Sequence, residues 1–524
     1  MVPPYVKQTW AVLGVLVNML GQGMVLSYPS SLIHALQLPD SDIPIDIHMS
    51  SWIGVLVNTL GQGMVLSFTS CLIPALQAPD SDIPIDIHMS SWIASCIGIA
   101  GFPGFFISGL LMDLKGRKMA HAIAMIPGTI GWLLIYFATD IRTIIIGRLL
   151  GGLTASATVC LGAVVIGEFS SPSNRGMFLN MKTVAVCMGN TVIHILGYFL
   201  HWRTIALLGV VPHAVALTII ITWPESPAWL ASKKRFEESE KSFLWLRGNS
   251  ESSRREFDEL IRAQKERMSE IPLNLTMKTR VKEFFKKFTR RDFIKPLIII
   301  IFSATLLETC GRHIFPAYAL QIIAAVTGNK MNSFYYTLAI DIIITTSATL
   351  SSILVKLLKR RTLLFGTAFP AIIVLFCACL YLFLVAQGVI SATRPWIPIM
   401  LFVLYFILAN LGCTPIPLAL LGEVFPLAHR GSGSLISGFA LSLLLMFALQ
   451  VTPYLLVSVK VYGTFAFFGT LMAISLITLH FILPETKDKT LQEIEDYFNN
   501  GKFKDKLDDE AGMKMLHNEK ENKA

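Results

Sequence analysis

Apolar residues in this chain come in long unbroken blocks rather than at the spacing of an amphipathic helix or strand. From residue 54 onward, runs of about 20 residues with few charges recur, the length a helix needs to cross the apolar core of a bilayer. The blocks fall at about 54–76, 89–112, 119–139, 141–166, 178–200, 203–223, 296–325, 333–358, 362–387, 396–421, 433–457 and 461–483. Each predicts a spanning helix, because in lipid every backbone N–H and C=O must find its partner within the segment. One strongly charged stretch interrupts them. It is residues 224–295, running through Lys233-Lys234-Arg235, Arg254-Arg255, Lys286-Lys287 and Arg290-Arg291. The pattern predicts an all-α membrane protein of twelve spans. The two six-helix halves, 54–223 and 296–483, are joined by a bridge at 224–295 and followed by a polar tail at 484–524. Within the bridge, Phe236, Phe243 and Leu244 share one helical face and Phe257, Leu260 and Ile261 another, so short amphipathic helices are expected there.

The N-terminus carries a repeat. Residues 14–52 recur as 54–92, differing only at Met19/Thr59, Tyr28/Phe68, Pro29/Thr69, Ser31/Cys71, His34/Pro74 and Leu38/Ala78. Copies this similar point to a recent duplication or to an error in the assembled gene, since a functional repeat diverges. Residues 1–53 are therefore read as an extra copy of the first helix, lying outside the bundle or absent from the mature protein.

Charge supports that frame. With 54–76 as the first span, Lys115/Arg117/Lys118, the bridge, Lys356/Lys359/Arg360/Arg361 and the tail all fall on one side of the membrane. The opposite loops carry only Arg142, Arg203, Lys330, Arg394 and Lys460. By the positive-inside rule both ends are cytoplasmic, in a multi-pass protein expected at the plasma membrane. If residues 14–36 also spanned, every downstream loop would invert or the N-terminus would lie outside. The net charge of +9 thus reflects topology and excludes nucleic acid as the partner. The chain is 53% hydrophobic and 15% charged, against about 25% charged in soluble domains. All eight cysteines fall in predicted spans without metal-ligand spacing and read as buried thiols. No metal cluster, phosphate loop or cofactor motif stands out, so neither an enzyme nor a cofactor is expected.

Three polar motifs at the basic side occur in the first half and return in order in the second. Asp113-Leu-Lys-Gly-Arg117-Lys118 is echoed by Lys356-Leu-Leu-Lys-Arg360-Arg361. Glu168 with Arg175-Gly176 is echoed by Glu423 with Arg430-Gly431, and Pro224-Glu225-Ser226 by Pro484-Glu485-Thr486. Ordered recurrence predicts two halves related by an axis along the membrane normal. Each motif sets carboxylates beside guanidiniums, whose planar fork binds carboxylate bidentately and keeps its charge. Asp113, Arg117, Glu168, Arg175, Glu225, Arg360, Arg361, Glu423, Arg430 and Glu485 are accordingly expected to form ion pairs across the two halves, a cytoplasmic gate that opens when they part.

These motifs resemble those of the sugar porters of the major facilitator superfamily. The resemblance rests on Asp113…Gly116-Arg117-Lys118, Gly147-Arg148, Glu168…Arg175-Gly176, Trp202-Arg203, Pro224-Glu225-Ser226-Pro227-Ala228-Trp229-Leu230, Glu423…Pro426…Arg430-Gly431 and Pro484-Glu485-Thr486-Lys487…Thr490-Leu491-Gln492-Glu493-Ile494. It covers residues 54–498. The bridge phrase from Arg235 to Gly248 is similar to the arthropod facilitated trehalose transporter branch. The resemblance implies a twelve-helix major facilitator bundle that passes a sugar by alternating access. Departures occur at Ala228, where arginine is usual, and at Lys356 and Lys359, where the second-half motif usually has an acid and a glycine. They lead one to expect a weaker, more basic gate in that half.

The resemblance also implies sugar contacts in the spans. The fifth-helix glutamine position is Thr183, and Gly189 matches a family glycine. The seventh-helix pattern Gln-Gln-x-x-Gly-x-Asn becomes Leu307-Glu308-Thr-Cys-Gly311-Arg312-His313, with both glutamines and the asparagine gone. Neutral amides give way to Glu308, Arg312 and His313, with Asp341 in the next span. Glu308 and Arg312 are four apart and expected to pair; Asp341 could accept from Arg312 or His313. Such groups are costly at membrane depth unless they face a cavity or each other. The cluster reads equally as a site retuned for a charged or zwitterionic solute and as a structural ion-pair cluster. Asn410 and Thr414 are further candidate contacts, whereas His194 reads as a packing histidine. Pro415 and Pro417 are expected to break the tenth helix and supply a hinge.

Three functions remain open on these grounds: facilitative transport of trehalose or a hexose, coupled transport with Glu308 or Asp341 binding a proton, and a non-transporting nutrient sensor on the same fold. The resemblance implies an acid in the first helix of proton-coupled members, and the stretch from Asn58 to Leu76 contains none, which argues against coupling. The expected partners are a small-molecule solute and the bilayer, with the protein a monomer.

Overall fold

In the computed structural model, the residues described are 48–169, 172–221, 223–247, 251–270, 291–327, 333–390, 396–424, 430–487 and 497–498. The first copy of the repeat lies outside them, apart from the residues that open α1. So does most of the polar tail, although Phe498 is buried and its carbonyl accepts from Lys295 Nζ at 3.2 Å.

The predicted spans are helices. The first is α1 (His48–Ser67) and α2 (Thr69–Leu76), meeting at Phe68. Then follow α3 (Ile87–Lys115), α4 (Arg117–Tyr136), α5 (Ile141–Phe169) and α6 (Pro172–Phe199). The sixth is α7 (Trp202–Leu208) with α8 (Val210–Ile221). The bridge contributes α9 (Pro227–Ser232), α10 (Phe236–Arg247) and α11 (Glu251–Glu270), with the Phe243 and Phe257 rings 5.3 Å apart. The seventh span is α12 (Arg291–Thr309) and α13 (Ile314–Thr327), followed by α14 (Ser333–Leu357) and α15 (Arg360–Ala386). The tenth is α16 (Trp396–Gly412) and α17 (Pro415–Glu423), and the last two are α18 (Arg430–Ser458) and α19 (Lys460–Ile482). Among the described residues 11 segments are long and apolar enough to cross a membrane. The protein is a multi-pass membrane protein.

Its polarity is inverted relative to a soluble domain. Large apolar side chains such as Phe137, Val457 and Phe481 point outward, while Asn58, Arg148, His194, Glu308 and Asp341 are buried. Hydrocarbon outside is as apolar as a protein core, so polar groups gain only by turning inward to partners.

The two halves repeat one packing scheme. In the first, α3 packs on α5, α4 on α5 and α8, and α1 on α6 and α8. In the second, α14 packs on α16, α15 on α16 and α19, and α12 on α18 and α19. The halves meet through two equivalent pairs, α3 with α18 and α6 with α14. Small residues permit these approaches. A Cβ built on Gly189 would lie 2.1 Å from the Leu60 carbonyl oxygen, and one on Gly63 would lie 2.1 Å from that of Val186. The first and fifth spans therefore touch backbone to backbone.

Candidate functional site

The basic end of the bundle is built on helix termini. The Glu225 carboxylate accepts from the backbone N–H of Arg117 at 2.7 Å, of Lys118 at 3.3 Å and of Ser226 at 2.8 Å, capping the start of α4. Lys118 Nζ donates to the carbonyls of Ile221 and Trp223, at the end of the sixth span. The second half repeats this. Glu485 accepts from Arg360 N at 2.9 Å and Arg361 N at 3.0 Å, and Arg361 donates to the carbonyls of Leu483 and His480. Acids thus sit at helix N-termini and bases at C-termini, as the helix dipole favours. Arg117 binds Glu168 bidentately, with Nη2 to Oε1 at 2.7 Å and Nε to Oε2 at 2.9 Å, and Ser226 Oγ donates to the same carboxylate at 2.5 Å.

Among the described residues the Arg117–Glu168 ion pair lies within the first half. Asp113 is exposed at the end of α3 and only its carbonyl is used, by Trp229 Nε1 at 3.2 Å. In the second half Lys359 stands where the first half has Gly116. Gly116 holds its turn at φ +88°, but Lys359 enters α15 from φ −65°, a conformation open to any residue, and the carboxylate cap is kept. The side chains of Arg175, Glu423 and Arg430 lie outside the described residues.

Midway through the bundle the two halves line a small cavity between them. Thr183, Val186, Cys187 and Asn190 of α6 form one wall. The opposite wall is Cys310, Gly311, Arg312 and Pro316 of the seventh span, Asp341 and Ile344 of α14, and Phe406, Asn410 and Thr414 of the tenth. It exists because two spans break there. The backbone leaves the helix between Thr309 and Ile314, with Gly311 at φ +85°, and again between Gly412 and Pro415. Tyr405 Oη holds the first break by donating to the Cys310 carbonyl at 2.9 Å. Non-helical backbone at this depth is tolerated where it lines a cavity. Asn190 Oδ1 and Thr414 Oγ1 are buried without a hydrogen-bond partner, as is Arg312 Nη1.

Of the nine residues expected to contact solute, Thr183, Gly311, Arg312, Asp341, Asn410 and Thr414 meet on this cavity. Glu308, His313 and Gly189 are not on its wall. Gly189 is spent on packing against α1. Glu308 does not pair with Arg312, because the break at Gly311 destroys the four-residue register that would have brought them together. It pairs instead with His313, Oε2 to Nδ1 at 2.6 Å. Asp341 takes neither Arg312 nor His313. Its Oδ2 lies 2.6 Å from Nδ1 of His194, whose Nε2 is 3.1 Å from the Pro316 carbonyl. His194, expected only to pack, therefore ties α6 to both α14 and α13. The signal was present as a stripe: Thr183, Cys187, Asn190 and His194 recur at intervals of three or four along one face of α6.

Beyond the cavity, at the end opposite the basic clusters, the halves are closed. Thr69 Oγ1 donates to the Ala317 carbonyl at 3.2 Å, Ser91 Oγ to the Gln450 carbonyl at 2.7 Å, and His88 Nδ1 lies 2.9 Å from Tyr454 Oη.

Two equivalent six-helix halves with a cavity between them define a membrane transporter of the major facilitator type. The structure superposes on the proton:xylose symporter XylE bound to 6-bromo-6-deoxy-D-glucose with a TM-score of 0.69, at 18% identity, covering 86% of this chain and 98% of that one. The profile of the family described as "Sugar (and other) transporter" matches residues 75–498, and the chain belongs to that family. Curated relatives include the facilitated trehalose transporter Tret1 of Apis mellifera ligustica, 27% identical over 405 residues that cover 77% of this chain and 78% of that protein. Tret1 of Bombyx mori matches to the same extent.

Proposed function

We propose that the protein is a facilitative sugar transporter that carries trehalose or a hexose down its gradient by alternating access. The observation that carries the reading is the cavity itself, set between the halves, with hydroxyl and amide groups on its wall and unpaired atoms at Asn190 and Thr414. Such groups both donate and accept, as sugar hydroxyls do. Halves 54–223 and 296–483 rock about the cavity, hinged at the breaks beside Gly311 and Pro415. The named relatives support trehalose as the first sugar to try. The site residues are then Thr183, Arg312, Asp341, Asn410 and Thr414, with His194 fixing Asp341. The protein acts as a monomer in the plasma membrane with its C-terminus in the cytoplasm.

The test is uptake of labelled trehalose and glucose in oocytes, by the full chain and by a form lacking residues 14–53. Saturable uptake by both forms, unchanged by an imposed pH gradient, is expected. A C-terminal epitope should be reached by antibody only after permeabilisation. Absence of uptake from protein confirmed at the surface would refute the reading, and dependence on the pH gradient would replace it with proton coupling.

A further inference from the structure

Arg312 is the part of the cavity that a neutral sugar does not explain. It lies in the break between α12 and α13, lines the cavity, and has Nη1 buried without a partner. Among the described residues no carboxylate pairs with it. The two nearest candidates in sequence are committed elsewhere, Glu308 to His313 and Asp341 to His194, each at 2.6 Å.

The second pair leaves no net negative charge on the wall. The Pro316 carbonyl can only accept, so His194 Nε2, 3.1 Å away, carries a hydrogen. A contact of 2.6 Å between Nδ1 and Oδ2 requires one more proton between them. Whether that proton rests on nitrogen or oxygen, the pair sums to zero. Lys182, one residue before Thr183, is not on the wall, and its Nζ donates to the Val159 carbonyl of α5 at 2.9 Å. The cavity is therefore a cationic site at membrane depth, which a counter-charge on the solute would offset.

We infer that the cavity takes a sugar bearing a carboxylate, a uronate, with its acid group bidentate on Arg312 and its hydroxyls on Asn190 and Thr414. This rests on the proposed sugar transport and narrows its substrate class. A guanidinium fork matches a carboxylate in shape and charge, and charge-assisted hydrogen bonds are about twice as strong as neutral ones.

The probes are glucuronate, glucose and trehalose, competed against labelled sugar in oocytes expressing the full chain. Glucuronate is expected to bind about ten- to a hundredfold more tightly than glucose. Arg312→Gln should remove that preference, so that glucuronate competes no better than glucose, and Arg312→Lys should restore part of it. Glucuronate no better than glucose in the wild type would overturn the inference and leave neutral-sugar transport standing. Equal loss of acidic and neutral sugar in Arg312→Gln at normal surface level would also overturn it, by making Arg312 structural. Should that variant fail to reach the surface, the wild-type competition decides alone. No uptake of any of the three sugars would sink the proposed function as well.

Discussion

Gly116→Ala tests the logic of the helix-terminus caps, with Lys359→Ala as its internal control. Gly116 sits at φ +88°, ψ 177°, a region essentially reserved for glycine, so a side chain there costs about 1–3 kcal/mol in backbone strain. The added Cβ would also fall 2.3 Å from Glu225 Oε2. The carboxylate must then move off the N–H groups of Arg117, Lys118 and Ser226. Those bonds are charge-assisted but only partly buried, so their loss adds about 1–2 kcal/mol rather than the full value for a buried group. The total is about 2–5 kcal/mol. Lys359 occupies the equivalent turn at φ −65° and offers no side-chain cap, so its replacement by alanine should cost less than about 0.5 kcal/mol. Thermal unfolding of detergent-purified protein, followed by intrinsic fluorescence, is the assay. The midpoint should fall by several degrees for Gly116→Ala and stay at the wild-type value for Lys359→Ala. Equal midpoints for the two variants would refute the reasoning.

Three further outcomes are expected. His194→Ala leaves the Asp341 carboxylate buried without its partner, a loss of about 3–5 kcal/mol that should show as low surface abundance, and adding Asp341→Asn should recover part of it; a double variant no better than the single would contradict the pairing. Gly189→Ala should destabilise by about 1–3 kcal/mol through the clash with the Leu60 carbonyl, without changing the ratio of trehalose to glucose uptake. Glu308→Gln should likewise reduce the amount of folded protein, because its partner is His313 rather than solute; a changed sugar preference at normal abundance would place it on the transport path.

Much of this architecture was legible in the sequence because its cause is one-dimensional. A bilayer demands uninterrupted apolar length, so each span announced itself, and the recurrence of Glu225-Ser226 as Glu485-Thr486 announced the two halves. The broken tenth helix was equally legible, since Pro415 and Pro417 remove backbone donors. What failed was the inference that assumed a continuous helix through the seventh span. Glu308 and Arg312 share a face only if the helix runs through Gly311, and it does not. His194 looked solitary because its partner, Asp341, is 147 residues away. Sequence shows the motif charges but not which helix terminus each caps, as Glu225 does for α4 and Glu485 for α15. Lys359 looked like a defect because a glycine is usual there, yet the turn it occupies requires no positive φ.

The most direct measurement is counterflow in proteoliposomes. Purified full-length protein is reconstituted into vesicles loaded with unlabelled trehalose or glucose and diluted into labelled sugar, with no ion or pH gradient. A facilitative alternating-access carrier predicts transient accumulation of label above its equilibrium level, driven only by the outward flow of unlabelled sugar. Folded protein that gives no such overshoot with either sugar would contradict the account.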